Sequence, residues 1–384
     1  MYFHLPTKIY CGKDSADRLG RLKESKIMIC ADPFLKENSA LQASIHKLEA
    51  AGKEVILYMD IVPDAPMSKI QEIMEVIQGK KVEVLVAIGG GSALDATKSA
   101  RFFYEKIFGI RLPLIAIPTT SGTGSEVTSY VVIKDGKTGK KTPVVDEKIL
   151  PDIAILDPTC VGTMPASVAR DTGLDVLTHA LESLVSKPSN VFTATYAKKS
   201  IETVFEDLKK AILEDDAGAK ERMHYASTMA GVAFGQSGLG INHSLAHAVG
   251  GEFSIPHGRI NGVLLPYVIQ FHGSHQEDLY DDMMEGLGIE GFSPERRLNN
   301  FLKDLKKLRK DLDLPNTIRD LGIEEKDFNQ ALDGLVDLAI KDPCTESNPI
   351  EVTREDLKGI LEAAYYGHSK KRVYASTVIG RPSF

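Results

Sequence analysis

Short apolar runs alternate with helix-period stretches along the first 160 residues of the chain. KIMICAD near residue 29, EVILYM near 56, VEVLVAIG near 85, LPLIAIPTT near 115 and DIAILD near 155 are rich in Val, Ile and Leu, and Gly, Pro or Asp bounds them. Runs of this length and composition predict buried strands. The opening MYFHLPTKIYCGKDS alternates like one more strand entering a turn. SALQASIHKLEAAG and SKIQEIMEVIQG have the helical period instead. Strand and helix in alternation predict a parallel sheet covered on both faces.

After about residue 165 the strand signal fades. ASVARDTGLDVLTHALESLV, NVFTATYAKKSIETVFEDLKKAIL, RMHYASTMAGVAFGQ and ERRLNNFLKDLKKLRKDL all carry long helical patterns. The predicted organisation is an α/β domain over 1–164 followed by an all-α domain over 165–384. The boundary falls at DPTCVGTMPAS, where Pro158 and Pro165 punctuate the chain. No repeat or low-complexity tract interrupts this plan, and KDLKKLRKDL reads as a solvated helix face.

The composition is ordinary for a globular protein with a sizeable core: 384 residues, 43% hydrophobic, 26% charged. The net charge of −7, with Lys and Arg scattered, gives no nucleic-acid footprint. No apolar run approaches the roughly 20 residues that span a bilayer. Cys11, Cys30, Cys160 and Cys344 form no CxxC pair, which points to a reducing compartment and no disulfide frame. The expected setting is cytoplasmic, with no membrane partner.

Two polar loops change the picture from fold to chemistry. In VEVLVAIGGGSALDATKSA a strand runs through Gly89, Gly90 and Gly91 into a helix. Glycines admit a phosphate close to the backbone, and Ser92 and the helix start behind it offer N–H donors. The usual dinucleotide fingerprint places its glycines on the first βα turn with an acid about 20 residues later. Here the order is reversed, with Asp32 ending an early strand and the glycines following. Asp32 could accept from an adenosine ribose and repel a 2′-phosphate, or it could simply cap a helix before Pro33. The second loop, TTSGTGSEVTS, gathers Thr119, Thr120, Ser121, Thr123 and Ser125 around Gly122 and Gly124 at the end of another strand.

Histidines supply the remaining signal. DTGLDVLTHALE spaces Asp175 and His179 at i,i+4, on one helical face. GINHSLAHAVGGEFSIPHGRING adds His243, His247 and His257. One carboxylate with imidazoles suits a borderline divalent ion such as Fe2+ or Zn2+. Spacing leaves the ligand set open: His243 and His247 could form a second i,i+4 pair, or His243 and His257 could bind and leave His247 free.

GGGSALDATK, IPTTSGTGSEVTS, ILDPTCVGTMP, TGLDVLTHALE, AFGQSGLGINHSLAHAVGG and IPHGRING, in that order, resemble the iron-dependent (group III) alcohol dehydrogenases over nearly the whole chain. Residues 222–258 are most similar to the 1-propanol dehydrogenases of propanediol utilisation. The resemblance implies a dinucleotide-binding α/β domain, a helical metal domain and an active site in the cleft that joins them. It implies metal ligands Asp175, His179, His243 and His257, with His247 as a non-ligand beside the reacting carbon. It implies NAD(H) contacts at Gly90, Gly91, Ser92, Thr119, Thr120, Thr123 and Lys141, with Asp95 among them and Asp32 near the adenosine ribose. Phe234 would line the substrate pocket. The family's NPT is here Asp64, Ala65 and Pro66, so the resemblance implies a further cofactor contact at Asp64, where the family has Asn. GMDALTH is GLDVLTH, and a late TNPR is SNPI around Asn348, without its Arg.

The implied activity is hydride transfer between NAD(H) and a short-chain primary alcohol or aldehyde, propanal and 1-propanol or similar. His247 would relay the alcohol proton. A diol or lactaldehyde reductase is the alternative within the class. A dehydroquinate-synthase-like lyase would call for basic residues around the metal group, and only Arg259 stands near it in sequence. A homodimer, and a partner protein carrying the enzyme into a bacterial microcompartment, complete the expectation.

Overall fold

The computed structural model describes residues 2–63, 65–134, 136 and 141–367. Six strands form one sheet: β1 (Lys8–Cys11), β2 (Lys26–Ala31), β3 (Glu54–Tyr58), β4 (Val84–Gly89), β5 (Leu114–Pro118) and β8 (Ile153–Leu156). Every pairing in it is parallel, in the order β1-β8-β5-β4-β2-β3. α1 (Ser39–Ala50), α2 (Met67–Lys80) and α3 (Gly91–Phe108) lie along the connections. β2, β4 and β5 are buried throughout or nearly so. Their side chains divide by alternation into two cores, one with Met28, Leu85 and Ala116, the other with Ile27, Val86 and Ile117. That two-sided burial is why each reads as an unbroken apolar run.

From β2 the chain goes to β3 on one side, then crosses to β4 on the other. Strand order therefore reverses at the carboxyl ends of β2 and β4, the place where open α/β sheets bind ligands. Asp32 and the three glycines stand there.

β6 (Tyr130–Lys134) and β7 (Lys141–Val145) form a separate antiparallel hairpin, which the strand reading did not foresee. β6 buries only alternate residues, Val131 and Ile133, and its short YVVI run follows directly on the polar loop.

The helices after residue 165 are α4 (Ala166–Val185), α5 (Val191–Leu213), α6 (Ala217–Ser237), α7 (Ile241–Phe253), α8 (His257–His275), α9 (Glu277–Gly286), α10 (Pro294–Asp311), α11 (Glu325–Ile340), α12 (Pro343–Glu346) and α13 (Arg354–Tyr366). One compact unit holds residues 1–184 and 188–238, and the other 185–187 and 239–384. Secondary structure thus changes class near residue 165, whereas the first compact unit runs on through α6. The reason is packing: Thr228 Oγ1 of α6 donates to Glu126 at 2.6 Å, and Ser121 Oγ lies 3.2 Å from His224 Nδ1. The second unit is entirely helical among its described residues. No helix among the described residues is long and apolar enough to cross a membrane.

Candidate active site

The glycine turn is built by β4 and α3. α3 starts at Gly91 with Gly90 as its N-cap, no side chain caps it, and no acid sits in its first turn. Its leading N–H groups therefore remain available to an anion. Asp32 is 6% exposed. Its side chain caps nothing; instead Oδ2 accepts from the Gly90 N–H at 2.8 Å. Burial raises the Asp32 carboxyl above its ordinary range, and the Gly90 bond offsets part of that.

The hydroxyl loop packs directly on this turn. Thr119 N–H donates to the Gly89 carbonyl at 2.9 Å. A Cβ on Gly91 would come within 2.9 Å of Thr123 Cγ2, so any side chain there would have to displace that of Thr123. Gly124 has φ +61° and backs onto α6, where a Cβ would lie 2.6 Å from Gly231 Cα. Thr119 is buried, and its Oγ1 has no protein partner among the described residues. Thr120, Thr123, Gly90, Gly91 and Ser92 are half-buried around it.

Beneath the loop lies a charged support. Both Asp95 oxygens accept from protein donors, Ser125 Oγ at 2.6 Å and Val132 N–H at 3.3 Å. Lys98 Nζ donates to the Ser125 and Tyr130 carbonyls at 2.8 and 2.9 Å. Burial pushes Lys98 down to about 8, against the pull of Asp95 and Glu126. Asp64 and the Lys141 side chain lie outside the described residues.

α4 presents Asp175 and His179 one turn apart, at 4% and 5% exposure. Phe234 stacks on the His179 ring, with centroids 4.4 Å apart. α7 carries His243, buried, and His247, half-buried; His257 is the first residue of α8. The ring centroids of His257 lie 5.3 Å from His243 and 5.2 Å from His247. α4 of the first unit thus offers one carboxylate and one imidazole, and the second unit brings His243 and His257 side by side. His247 groups with Asp342 and Cys344, whose ligand atoms lie within 4.8 Å of one another. One carboxylate and three imidazoles, three of the four buried, match the donor chemistry of a borderline divalent ion.

Several supporting residues escaped the sequence reading. Asn261 Nδ2 sits 3.1 Å from His257 Nε2, and Asn242 Nδ2 donates to Asn261 Oδ1 at 2.9 Å. Asp342 Oδ2 meets His247 Nδ1 at 2.8 Å. Burial would raise the Asp342 carboxyl, but bonds from His247 and Cys344 outweigh it and hold the group below its ordinary range. Asn348, noted in sequence only as part of SNPI, is fully buried and accepts from the Ile241 N–H at 3.2 Å at the start of α7. These side chains are ordinary polar residues with no periodic signature, and only the fold reveals their partners.

Comparison with known proteins agrees over most of the chain. A profile for iron-containing alcohol dehydrogenase matches residues 6–158, and one for the C-terminal part of the Fe-containing alcohol dehydrogenase family matches residues 169–365. The NADPH-dependent butanol dehydrogenase of Clostridium saccharobutylicum is 37% identical, over 96% of this chain and 98% of its own. The 1-propanol dehydrogenase of Citrobacter freundii is 36% identical, over 94% and 98%. The aldehyde-alcohol dehydrogenase of Streptococcus pneumoniae is 34% identical over 96% of this chain, which spans 46% of that longer protein. Among solved structures, the iron-containing alcohol dehydrogenase of Thermococcus thioreducens superposes with a TM-score of 0.86 at 32% identity, covering 96% of this chain and all of that one.

Proposed function

The chain belongs to the iron-containing alcohol dehydrogenase family, and from that premise we propose that it transfers a hydride between a nicotinamide dinucleotide and a short-chain primary alcohol or aldehyde. The observation that carries the proposal is the donor set, Asp175 and His179 one turn apart on α4 and His243 beside His257 in the second unit, which we take together as a four-donor group. These residues would hold Fe2+, with Zn2+ as the alternative. The ion would supply a Lewis acid at the substrate oxygen, and the nicotinamide would carry the redox change.

The chain's own residues have separate duties in this reading. Asp175 brings one negative charge and the imidazoles none, so a divalent ion keeps a net charge of about +1. Phe234, stacked on His179, presents an apolar wall to an alkyl chain. The uncapped start of α3, Ser92 and the hydroxyls of Thr119, Thr120 and Thr123 bind the dinucleotide. Asp95 and Lys98 act one layer below, holding the loop. Asp32 disfavours a 2′-phosphate, so we propose NAD(H) over NADP(H). His247 takes the alcohol proton at a ring nitrogen and returns it in the reverse direction.

The test is a panel of short primary alcohols, diols and aldehydes run with NADH, NADPH and their oxidised forms, on protein of known metal content. Turnover of propanal or 1-propanol with NAD(H) is the expected result. Preference for a diol or lactaldehyde would favour the second reading within the class, and no cofactor oxidation with any carbonyl would refute the proposal. Cytoplasmic location, a homodimer and carriage into a microcompartment by a partner protein belong to the same reading. The solution mass tests the dimer.

A further inference from the structure

The segment 342–350, DPCTESNPI, touches α7 at three points and Leu239, just ahead of it, at a fourth, all roughly 100 residues upstream in sequence. Asp342 Oδ2 meets His247 Nδ1 at 2.8 Å. Thr345 Oγ1 lies 2.8 Å from Ser244 Oγ. Ser347 Oγ donates to the Leu239 carbonyl at 2.8 Å. Asn348 Oδ1 accepts from the Ile241 N–H, and its Nδ2 donates to the Ile350 carbonyl at 2.8 Å. Three of these contacts fix the helix, and only the first addresses a ring that the four-donor group leaves out.

The Asp342 carboxylate is itself held. Its Oδ1 accepts from the Cys344 N–H at 2.9 Å, capping α12, and Ser244 Oγ approaches at 3.4 Å. A carboxylate so anchored can only accept, so the His247 nitrogen facing it must carry the hydrogen. In a neutral ring the other nitrogen then has the free lone pair.

We propose that Asp342 is the positioning residue for His247: it fixes the ring as the Nδ1–H tautomer and so leaves Nε2 to accept a proton. This rests on the reading of His247 as the group that takes the alcohol proton. In the oxidative direction the alcohol O–H proton passes to Nε2 while the hydride leaves carbon for the nicotinamide; in the reductive direction both return. The imidazole keeps its orientation throughout because the Nδ1–H bond to Asp342 persists. The same three side chains could instead chelate a cation through His247, Asp342 and Cys344, and the experiment separates the two.

Protein labelled with 15N-histidine and loaded with Zn2+, which is diamagnetic, reports the tautomer of each ring by two-bond 1H–15N correlation. His247→Gln assigns the signal. The expected result is Nδ1–H for His247 in the unmodified chain. Asp342→Asn retains the helix cap but can offer an N–H to the ring, which should move His247 toward the Nε2–H form. With it, kcat should fall on the order of tenfold to a hundredfold, with KM and bound Zn2+ unchanged, and Asp342→Glu should recover part of the loss. An unaltered tautomer in Asp342→Asn, or an effect on KM and metal content in place of kcat, overturns the proposal. So does a second bound Zn2+ that Cys344→Ser abolishes. The tautomer is read without turnover, so absence of hydride transfer in the unmodified chain would refute the dehydrogenase reading as a separate outcome.

Discussion

Gly231→Ala tests the packing that places the hydroxyl loop. In a helix interior this change ordinarily stabilises by about 0.5–1 kcal/mol, because glycine loses more backbone freedom on folding. At Gly231 of α6 the new Cβ would lie 2.8 Å from Gly124 Cα and 3.0 Å from both the Gly124 carbonyl oxygen and Val127 Cγ2. Two of those three atoms are backbone, so no rotamer change relieves the overlap. The loop has little room to retreat, since Gly124 sits at φ +61°. Glu126 is bonded to Thr228 on the same helix, and Lys98 ties Ser125 from below. Overpacking of this kind costs about 1–3 kcal/mol; set against the propensity gain it leaves a net loss of about 1 kcal/mol, within a range of roughly 0–2.5.

Gly235, one turn on and exposed, is the internal control. A Cβ there meets Thr128 Cγ2 at 3.4 Å, an ordinary contact. Gly235→Ala should therefore keep the propensity gain and raise the urea midpoint, while Gly231→Ala lowers it, at unchanged m. The second readout is dinucleotide affinity. Displacing the loop shifts Thr120 and Thr123, so Gly231→Ala should weaken binding where Gly235→Ala does not. If both substitutions move the midpoint in the same direction, or Gly231→Ala leaves affinity intact, the loop does not depend on this close approach.

Three further outcomes follow from the same geometry. Chelator-treated protein should lose turnover and regain it with Fe2+ or Zn2+, and Asp175→Ala should fail to retain metal; full turnover in chelated protein would remove the ion from the chemistry. Asp32→Gly should raise the ratio of kcat/KM for NADPH over NADH by about tenfold or more, since like charges near 4 Å repel by about 1–4 kcal/mol in polar surroundings; an unchanged ratio would show that Asp32 serves only the Gly90 N–H. Burial holds His224 down to about 4 from an ordinary 6.5. Between those values the unfolded chain binds a proton that the folded chain does not, so stability should fall as pH drops through that window, by up to about 3 kcal/mol. His224→Gln should flatten that part of the stability curve, and an unaltered curve would contradict the burial argument.

What could be read from sequence was whatever is local. β2, β4, β5 and β8 are legible because a strand buried on both faces is a continuous apolar run. α4 is legible from end to end, and the i,i+4 spacing of Asp175 and His179 is a property of one helix. β6 escaped because it buries only alternate residues and follows a polar loop. The ligand choice among His243, His247 and His257 could not be settled by spacing, since two donors four apart on α7 are equivalent until something outside the helix distinguishes them. Asp342 makes them unlike: it lies 95 residues away in sequence and bonds His247, which is why the proposed ligand set takes His243 and leaves His247 out. Asn348 makes the same point about departures from a pattern. The Arg expected after it is Ile350, yet the Asn still holds the start of α7 and its Nδ2 still reaches the backbone of residue 350. Substituting a side chain at 350 leaves a carbonyl there to accept that bond. The anchoring of α7 therefore requires Asn at 348 and no particular side chain at 350, so Ile350→Arg should leave the α7 histidines where they are, whereas Asn348→Ala should loosen them and lower metal retention.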